Sequence, residues 1–128
     1  MAFYTYDYDR SYTPAAPVVE LEISSPTFAE TVTLSALIDS GADATVLPKD
    51  LLMRIKAQRI DTRMLRTVTG ARIPVSLFRV TLRIGPYILP NIHAVGNASS
   101  QEAIMGRDAL NQLIVTMNGL AATTEISR

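Results

Sequence analysis

The sequence has no cysteine, a single histidine and no long apolar run. Without cysteine there are no disulfides, no thiol nucleophile and no cysteine-ligated zinc site. A Ser-His pair or a histidine metal site would rest on His93 alone, and the apolar strand pattern around it assigns that imidazole a packed or surface role. Covalent catalysis is therefore not expected. No segment approaches the roughly 18 apolar residues of a membrane span, and the polar, tyrosine-rich stretch Met1 to Arg10 lacks the apolar part of a signal peptide. A cytoplasmic protein with no membrane partner is the expectation. Net charge is missing too, with twelve Lys and Arg against twelve Asp and Glu. That balance leaves no electrostatic footprint for nucleic acid and leans toward self-association. The basic residues Arg54, Lys56, Arg59, Arg63 and Arg66 share their stretch with Asp50 and Asp61 and have no aromatic residues between them, so they read as solvated surface.

What remains is a pattern of short strands. At 128 residues, 48% hydrophobic and 19% charged, the chain is one globular domain by size. Val19, Leu21 and Ile23 alternate with Glu20 and Glu22, Ser24 to Thr27 signals a turn, and Thr31 to Ile38 alternates again, which predicts a β-hairpin. After Pro48, Leu51, Leu52 and Ile55 stand at helical spacing. Arg63 to Val68 and Ile73 to Ile84 are extended runs around Thr69-Gly70-Ala71-Arg72, a hairpin with a glycine-containing tip, and in the second run Phe78, Val80, Leu82 and Ile84 share one phase while Arg79, Thr81 and Arg83 share the other. Tyr87 to Leu89 and Ile92 to Val95 read as two short strands, Arg107 to Ile114 as a helix, and Ile114 to Met117 as a strand before a turn at Asn118-Gly119. The fold class expected is mostly β, a small closed barrel with one or two short helices.

The stretch with most chemistry in it is Ala36 to Pro48. An apolar strand runs into Asp39-Ser40-Gly41 and returns to apolar residues at Val46 and Leu47. A carboxylate at the end of a buried strand needs hydrogen bonds, a partner charge or a proton. Ser40 offers a hydroxyl donor, and Gly41 lets the main chain bend close to a ligand. A calcium loop is excluded, because Asp39 and Asp43 lack the alternating acidic positions and the terminal glutamate such a loop requires.

Leu37-Ile38-Asp39-Ser40-Gly41-Ala42-Asp43 resembles the active-site loop of retropepsin-like aspartic proteases, and Ala103-Ile104-Met105-Gly106-Arg107-Asp108-Ala109-Leu110 is similar to that family's second signature. Either motif alone is weak; the pair, in this order and with a glycine-tipped hairpin between them, is specific. The resemblance covers Val18 to Gly119 as a protease domain. It leaves 1–17 as an N-terminal arm, expected to be mobile or else an extended arm whose tyrosines pack onto a partner or the body, and 120–128 as a C-terminal tail.

The resemblance implies a homodimer that hydrolyses polypeptide substrates, without metal or organic cofactor, through two facing carboxylates sharing one proton. Asp39 is the catalytic residue it assigns, and since the chain holds one Asp-Ser-Gly, the second carboxylate would come from a second copy. Ser40 would bond across the two-fold axis. Gly41, Ala42 and Asp43 would hold substrate main chain, and Asp43 with Arg107 would form an ion pair supporting the loop. The hairpin from Arg66 to Pro74 would act as a flap, with Thr69, Gly70 and Ala71 meeting substrate. This tip departs from the glycine-rich retroviral flaps, and the strand at Val115 to Met117 is the candidate for the terminal strand that joins retroviral subunits. The alternative class is a non-catalytic dimerisation or peptide-binding module on the same fold.

Overall fold

Period-two alternation turns side chains to opposite faces of a strand, and in the computed structural model, which describes residues 3–26 and 28–128, those faces become the inside and outside of a barrel. Thr27, at the end of the expected turn, and Met1 and Ala2 of the arm lie outside the described residues. Strands β2 (Val18–Ser25) and β3 (Phe28–Ile38) form the predicted antiparallel hairpin, with Val19 opposite Ala36 and Leu21 opposite Leu34. Then come β4 (Val46–Pro48), α1 (Lys49–Arg54), the long hairpin of β5 (Gln58–Arg66) and β6 (Arg72–Ile84), β7 (Tyr87–Asn97), β8 (Ala103–Met105) and α2 (Arg107–Leu110). The strand order is β2-β3-β8-β4-β7-β6-β5. A further pairing of β2 with β6, Glu22 opposite Arg83 and Ser24 opposite Thr81, closes the sheet into a six-stranded barrel with β5 outside the ring. The expected mostly-β, closed-barrel class is what the chain adopts.

Val19, Leu21 and Ile23 from β2 and Val80, Leu82 and Ile84 from β6 are all 0% exposed, with Phe78 beside them. Each such burial contributes roughly 1.5–3 kcal/mol. Leu51 and Leu52 of α1 and Ile55 just beyond it close one end of this core, while Met53, on the opposite face, is exposed. Among the described residues no helix is long and apolar enough to cross a membrane.

At three places the structure changes an expectation or decides between two. The two short strands expected at Tyr87 to Leu89 and Ile92 to Val95 are one strand, β7, because β6 pairs with it on both sides of Pro90 and Asn91. The register moves between Val80 and Leu82, opposite Pro90 and Asn91, where a proline without an N–H and an asparagine at φ 56° form a bulge. The helix expected from Arg107 to Ile114 stops at Leu110, and the N–H groups of Gln112 and Leu113 reach back only three residues, to the carbonyls of Ala109 and Leu110. Ile114 is thereby free to open a strand, β9 (Ile114–Asn118).

The ends of the chain are the third place. Of the two readings of the arm, the extended one packed onto the body is what the structure has: Tyr4–Asp7 forms β1, paired with β10 (Thr123–Ser127), which pairs in turn with β9, so that arm and tail make a three-stranded sheet of order β1-β10-β9. The alternating tyrosines explain the order. Tyr4 meets Tyr87 edge to face at 5.8 Å, Tyr6 packs against the core, and Ile126 of β10 is 0% exposed. Burial, with the Glu20 carboxylate nearby, pushes the Tyr6 phenol above its ordinary value.

Candidate active site

Asp39 follows the last residue of β3, and β3 runs parallel to β8 with Ile38 opposite Met105. The Asp39 N–H donates to the Met105 carbonyl at 3.1 Å, which extends the ladder by one bond beyond the strand. The chain then turns tightly: the Ala42 N–H donates to the Asp39 carbonyl at 3.2 Å, and the Gly41 N–H donates to Asp39 Oδ1 at 2.9 Å. A half-buried carboxylate is thus held by its own loop, through a main-chain donor. The donor expected from Ser40 is supplied by Gly41 instead; Ser40 is exposed and contributes its carbonyl.

That carbonyl accepts from Arg107 Nη1 at 2.7 Å, across 67 residues of sequence, and the Arg107 N–H donates to the Ala42 carbonyl at 2.8 Å. Arg107 Nη2 also lies 3.5 Å from Asp43 Oδ1, so the expected ion pair is present. Its side chains are 45% and 95% exposed, which places it among surface pairs worth about 0–1 kcal/mol. Arg107 restrains the loop chiefly through main-chain oxygens.

The strongest cross-link between the two motifs lies one residue further on. Asp108 accepts the Thr45 N–H with both carboxylate oxygens at 3.1 Å and the Thr45 hydroxyl with Oδ1 at 2.8 Å. Thr45 is 0% exposed, and its hydroxyl oxygen accepts the Gly106 N–H at 3.3 Å. Gly106 itself lies flat against the preceding loop, since a Cβ there would sit 2.6 Å from the carbonyl carbon and oxygen of Ala44. Sequence reading placed Asp108 at a helix start but gave no role to Thr45. The available signal was one hydroxyl between Ala44 and Val46 and one carboxylate in the first turn of α2, which share a need for partners but nothing in their spacing.

The flap candidate stands apart from this network. At its tip the Thr67 N–H donates to the Ala71 carbonyl at 2.8 Å, the Gly70 N–H donates to the Thr67 carbonyl at 2.9 Å, and Gly70 adopts φ 85°, a conformation natural to glycine. Thr69, Gly70 and Ala71 are exposed, and among the described residues no hydrogen bond joins them to the 39–43 loop. Between hairpin and loop lies a cavity of about 440 Å³, bordered by Asp43, Ala44, Met64, Leu65 and Asp108. One chain therefore presents one carboxylate on a tightly bonded loop, beside an open cleft and under a projecting hairpin.

A family model described as "gag-polyprotein putative aspartyl protease" matches residues 27–112. No curated protein matches the sequence. Among solved structures, the chain is similar to a retropepsin-like aspartic protease from Rickettsia conorii, with a TM-score of 0.67 and 12% identity over 98% of this chain and 90% of that one. It is also similar to EIAV protease complexed with an inhibitor, with a TM-score of 0.56 and 22% identity over 76% of this chain and 86% of that one. Simian Foamy Virus (mac) protease has a TM-score of 0.55 and 18% identity, covering 73% of this chain and 91% of its own. At these identities the likeness is one of fold.

Proposed function

This chain belongs to the gag-polyprotein aspartyl protease family, and on that premise we propose that it is a homodimeric aspartic endopeptidase with Asp39 of each subunit as its catalytic pair. The observation that carries the reading is the bonding of the Asp39 loop. Its carboxylate is oriented by the Gly41 N–H, and the loop is braced by Arg107 on the Ser40 carbonyl and by Asp108 on Thr45.

One ionised carboxylate takes a proton from a water between the pair as that water attacks the substrate carbonyl carbon. The other, protonated, donates to the carbonyl oxygen. In the resulting tetrahedral diol the carboxyl that took the water's proton passes it to the amide nitrogen while the other carboxylate takes a proton back from a diol hydroxyl; the C–N bond breaks, and the pair again holds one proton. Two facing carboxylates keep one shared proton best in mildly acidic solution, as is known for aspartic proteases, so the rate falls on both sides of an acidic optimum.

A second copy is required because one chain carries one such loop. The edge strand β9 suits this contact: it is bonded to β10 on one side, and its Ile114 and Met117 are 52% and 54% exposed. An antiparallel contact between two β9 edges is isologous, as a two-fold dimer needs. Across the axis Ser40 would bond the opposite loop, while Gly41, Ala42 and Asp43, with Thr69, Gly70 and Ala71 of the closed hairpin, would hold extended substrate.

The test is to incubate wild-type and Asp39→Asn protein with a diverse peptide mixture across pH and identify the cleaved bonds by mass spectrometry, with the oligomeric state measured by sedimentation. Cleavage is expected from the wild-type dimer alone. Undiminished cleavage by Asp39→Asn would overturn the assignment, and peptide binding without cleavage at any pH would identify a binding module.

A further inference from the structure

Resting on the reading of the 39–43 loop as a peptide-hydrolysing site, we propose that Lys49 makes this site selective for an acidic side chain, best a glutamate, at one position of the bound polypeptide. A second cavity, of about 400 Å³, opens between the hairpin and the barrel wall. Its apolar surface is built by Val46 of β4, Leu65 of β5, Val75 of β6 and Val95 of β7, and among its described lining residues Lys49 alone carries a charge. Lys49 is exposed and makes no ion pair or hydrogen bond among the described residues. The adjacent Asp50 does not neutralise it through a contact, because its carboxylate accepts the Leu51 N–H at 3.0 Å and the Gln101 amide at 3.2 Å.

The cavity adjoins the carboxylate's support. Val46 stands opposite Ile104 of β8, and the next residue, Met105, accepts the Asp39 N–H. Leu65 and Ile73, which also line it, belong to the two arms of the hairpin that closes over polypeptide in the proposed mechanism. In an extended peptide, side chains two residues apart emerge on the same side, about 6.6–6.8 Å from one another. One substrate position therefore addresses this cavity, and one two residues away can address the 440 Å³ cavity that shares Leu65, Val75 and Val95 with it.

The chemistry of the two differs. The larger is bordered by Asp43, Asp108, Arg63 and His93, a mixture of signs that selects no charge. The Lys49 cavity has one sign. Its apolar wall takes methylenes and its ammonium attracts an anion beyond them, which is the outline of a glutamate side chain. Lysine in the same place would bring two ammonium groups together.

The probe is a set of fluorescent octapeptides identical except for Glu, Gln or Lys placed in turn at each position. Binding is measured on the cleavage-silent Asp39→Asn dimer, and kcat/KM on the wild type. At one position Glu is expected to exceed Lys by about threefold to tenfold in both readouts, the range of one exposed ion pair set against one like-charge contact. The preference shrinks toward unity as salt rises, as contacts between exposed charges do. Lys49→Met is expected to flatten it and Lys49→Glu to invert it, with affinity for the Gln peptide kept in both variants. A Glu preference that survives Lys49→Met, the lack of any position preferring Glu, or the lack of binding by every peptide would each overturn the proposal. Glu-selective, Lys49-dependent binding without wild-type cleavage would support it while overturning the protease reading, and cleavage with no charge preference would do the reverse.

Discussion

The Asp39 loop and the hairpin tip are both tight turns, both contain a glycine and a hydroxyl side chain, and they are held in opposite ways. The loop is bonded to residues more than sixty positions away: Arg107 to Ser40 over 67 residues and Asp108 to Thr45 over 63. Among the described residues the tip is bonded only within itself, from Thr67 to Ala71, with the Thr67 and Thr69 hydroxyls 2.9 Å apart. A reacting carboxylate must keep its position before substrate arrives, whereas a cover must give way to admit polypeptide. The division of bonding matches the division of labour proposed for the two turns, and it locates the stiffness of the site in the contact between β8–α2 and the loop after β3.

Substitutions on each side break this contrast by graded amounts. Asp39→Asn removes the proposed base and is expected to lower kcat/KM by about 10³-fold, with the far-ultraviolet spectrum and melting temperature close to wild type. Gly106→Ala attacks the rigid side. Its new Cβ meets main-chain atoms of Ala44 at 2.6 Å, so the loop itself must shift. A loss of about 3 kcal/mol in urea unfolding is expected, together with lost cleavage. The same exchange in the hairpin, Gly70→Ala, meets no atom within 4 Å and has only the φ of 85° against it. Its expected loss is about 1 kcal/mol, with slower peptide binding because the tip leaves its conformation. Equal losses for the two alanines would show that the contrast does not govern stability. The smallest effect is expected for Asp43→Asn, below about 1 kcal/mol, because that carboxylate is 95% exposed in its pair with Arg107. A larger loss would move the brace of the loop from Arg107's main-chain contacts to the ion pair.

Much of the barrel was legible because alternation is a local property. Val19, Leu21 and Ile23, and likewise Phe78, Val80, Leu82 and Ile84, could be assigned to the inside before any partner strand was known. Leu51, Leu52 and Ile55 could be read as a helix face for the same reason, there with a period of 3.6. The reading failed where a local signal competed with a distant partner. Pro90 and Asn91 look like the end of a strand, yet pairing with β6 carries β7 across them. The tyrosine arm left a mobile and an extended, packed reading open, and the choice between them falls to distant residues: Tyr4 finds Ile126 as its strand partner and Tyr87 as its ring contact. The candidate site was legible as two motifs, Leu37 to Asp43 and Ala103 to Leu110. Its internal bonding was not, because Thr45 and Asp108 meet only when β3 and β8 lie side by side.

By itself the sequence determined which side chains of the alternating strands face inward, and that a carboxylate stands at a strand end with glycine two residues after it. These follow from steric and solvation preferences that act over a few residues. The tertiary structure decided that the Gly41 N–H rather than the Ser40 hydroxyl holds Asp39, that Asp108 rather than the Asp43 pair locks the loop from within, and that the two ends of the chain fold onto each other. Those outcomes depend on which distant strands become neighbours when the barrel closes. A donor must then choose among acceptors that sequence spacing does not place near it, and burial, which makes an unpaired polar group costly, makes the choice.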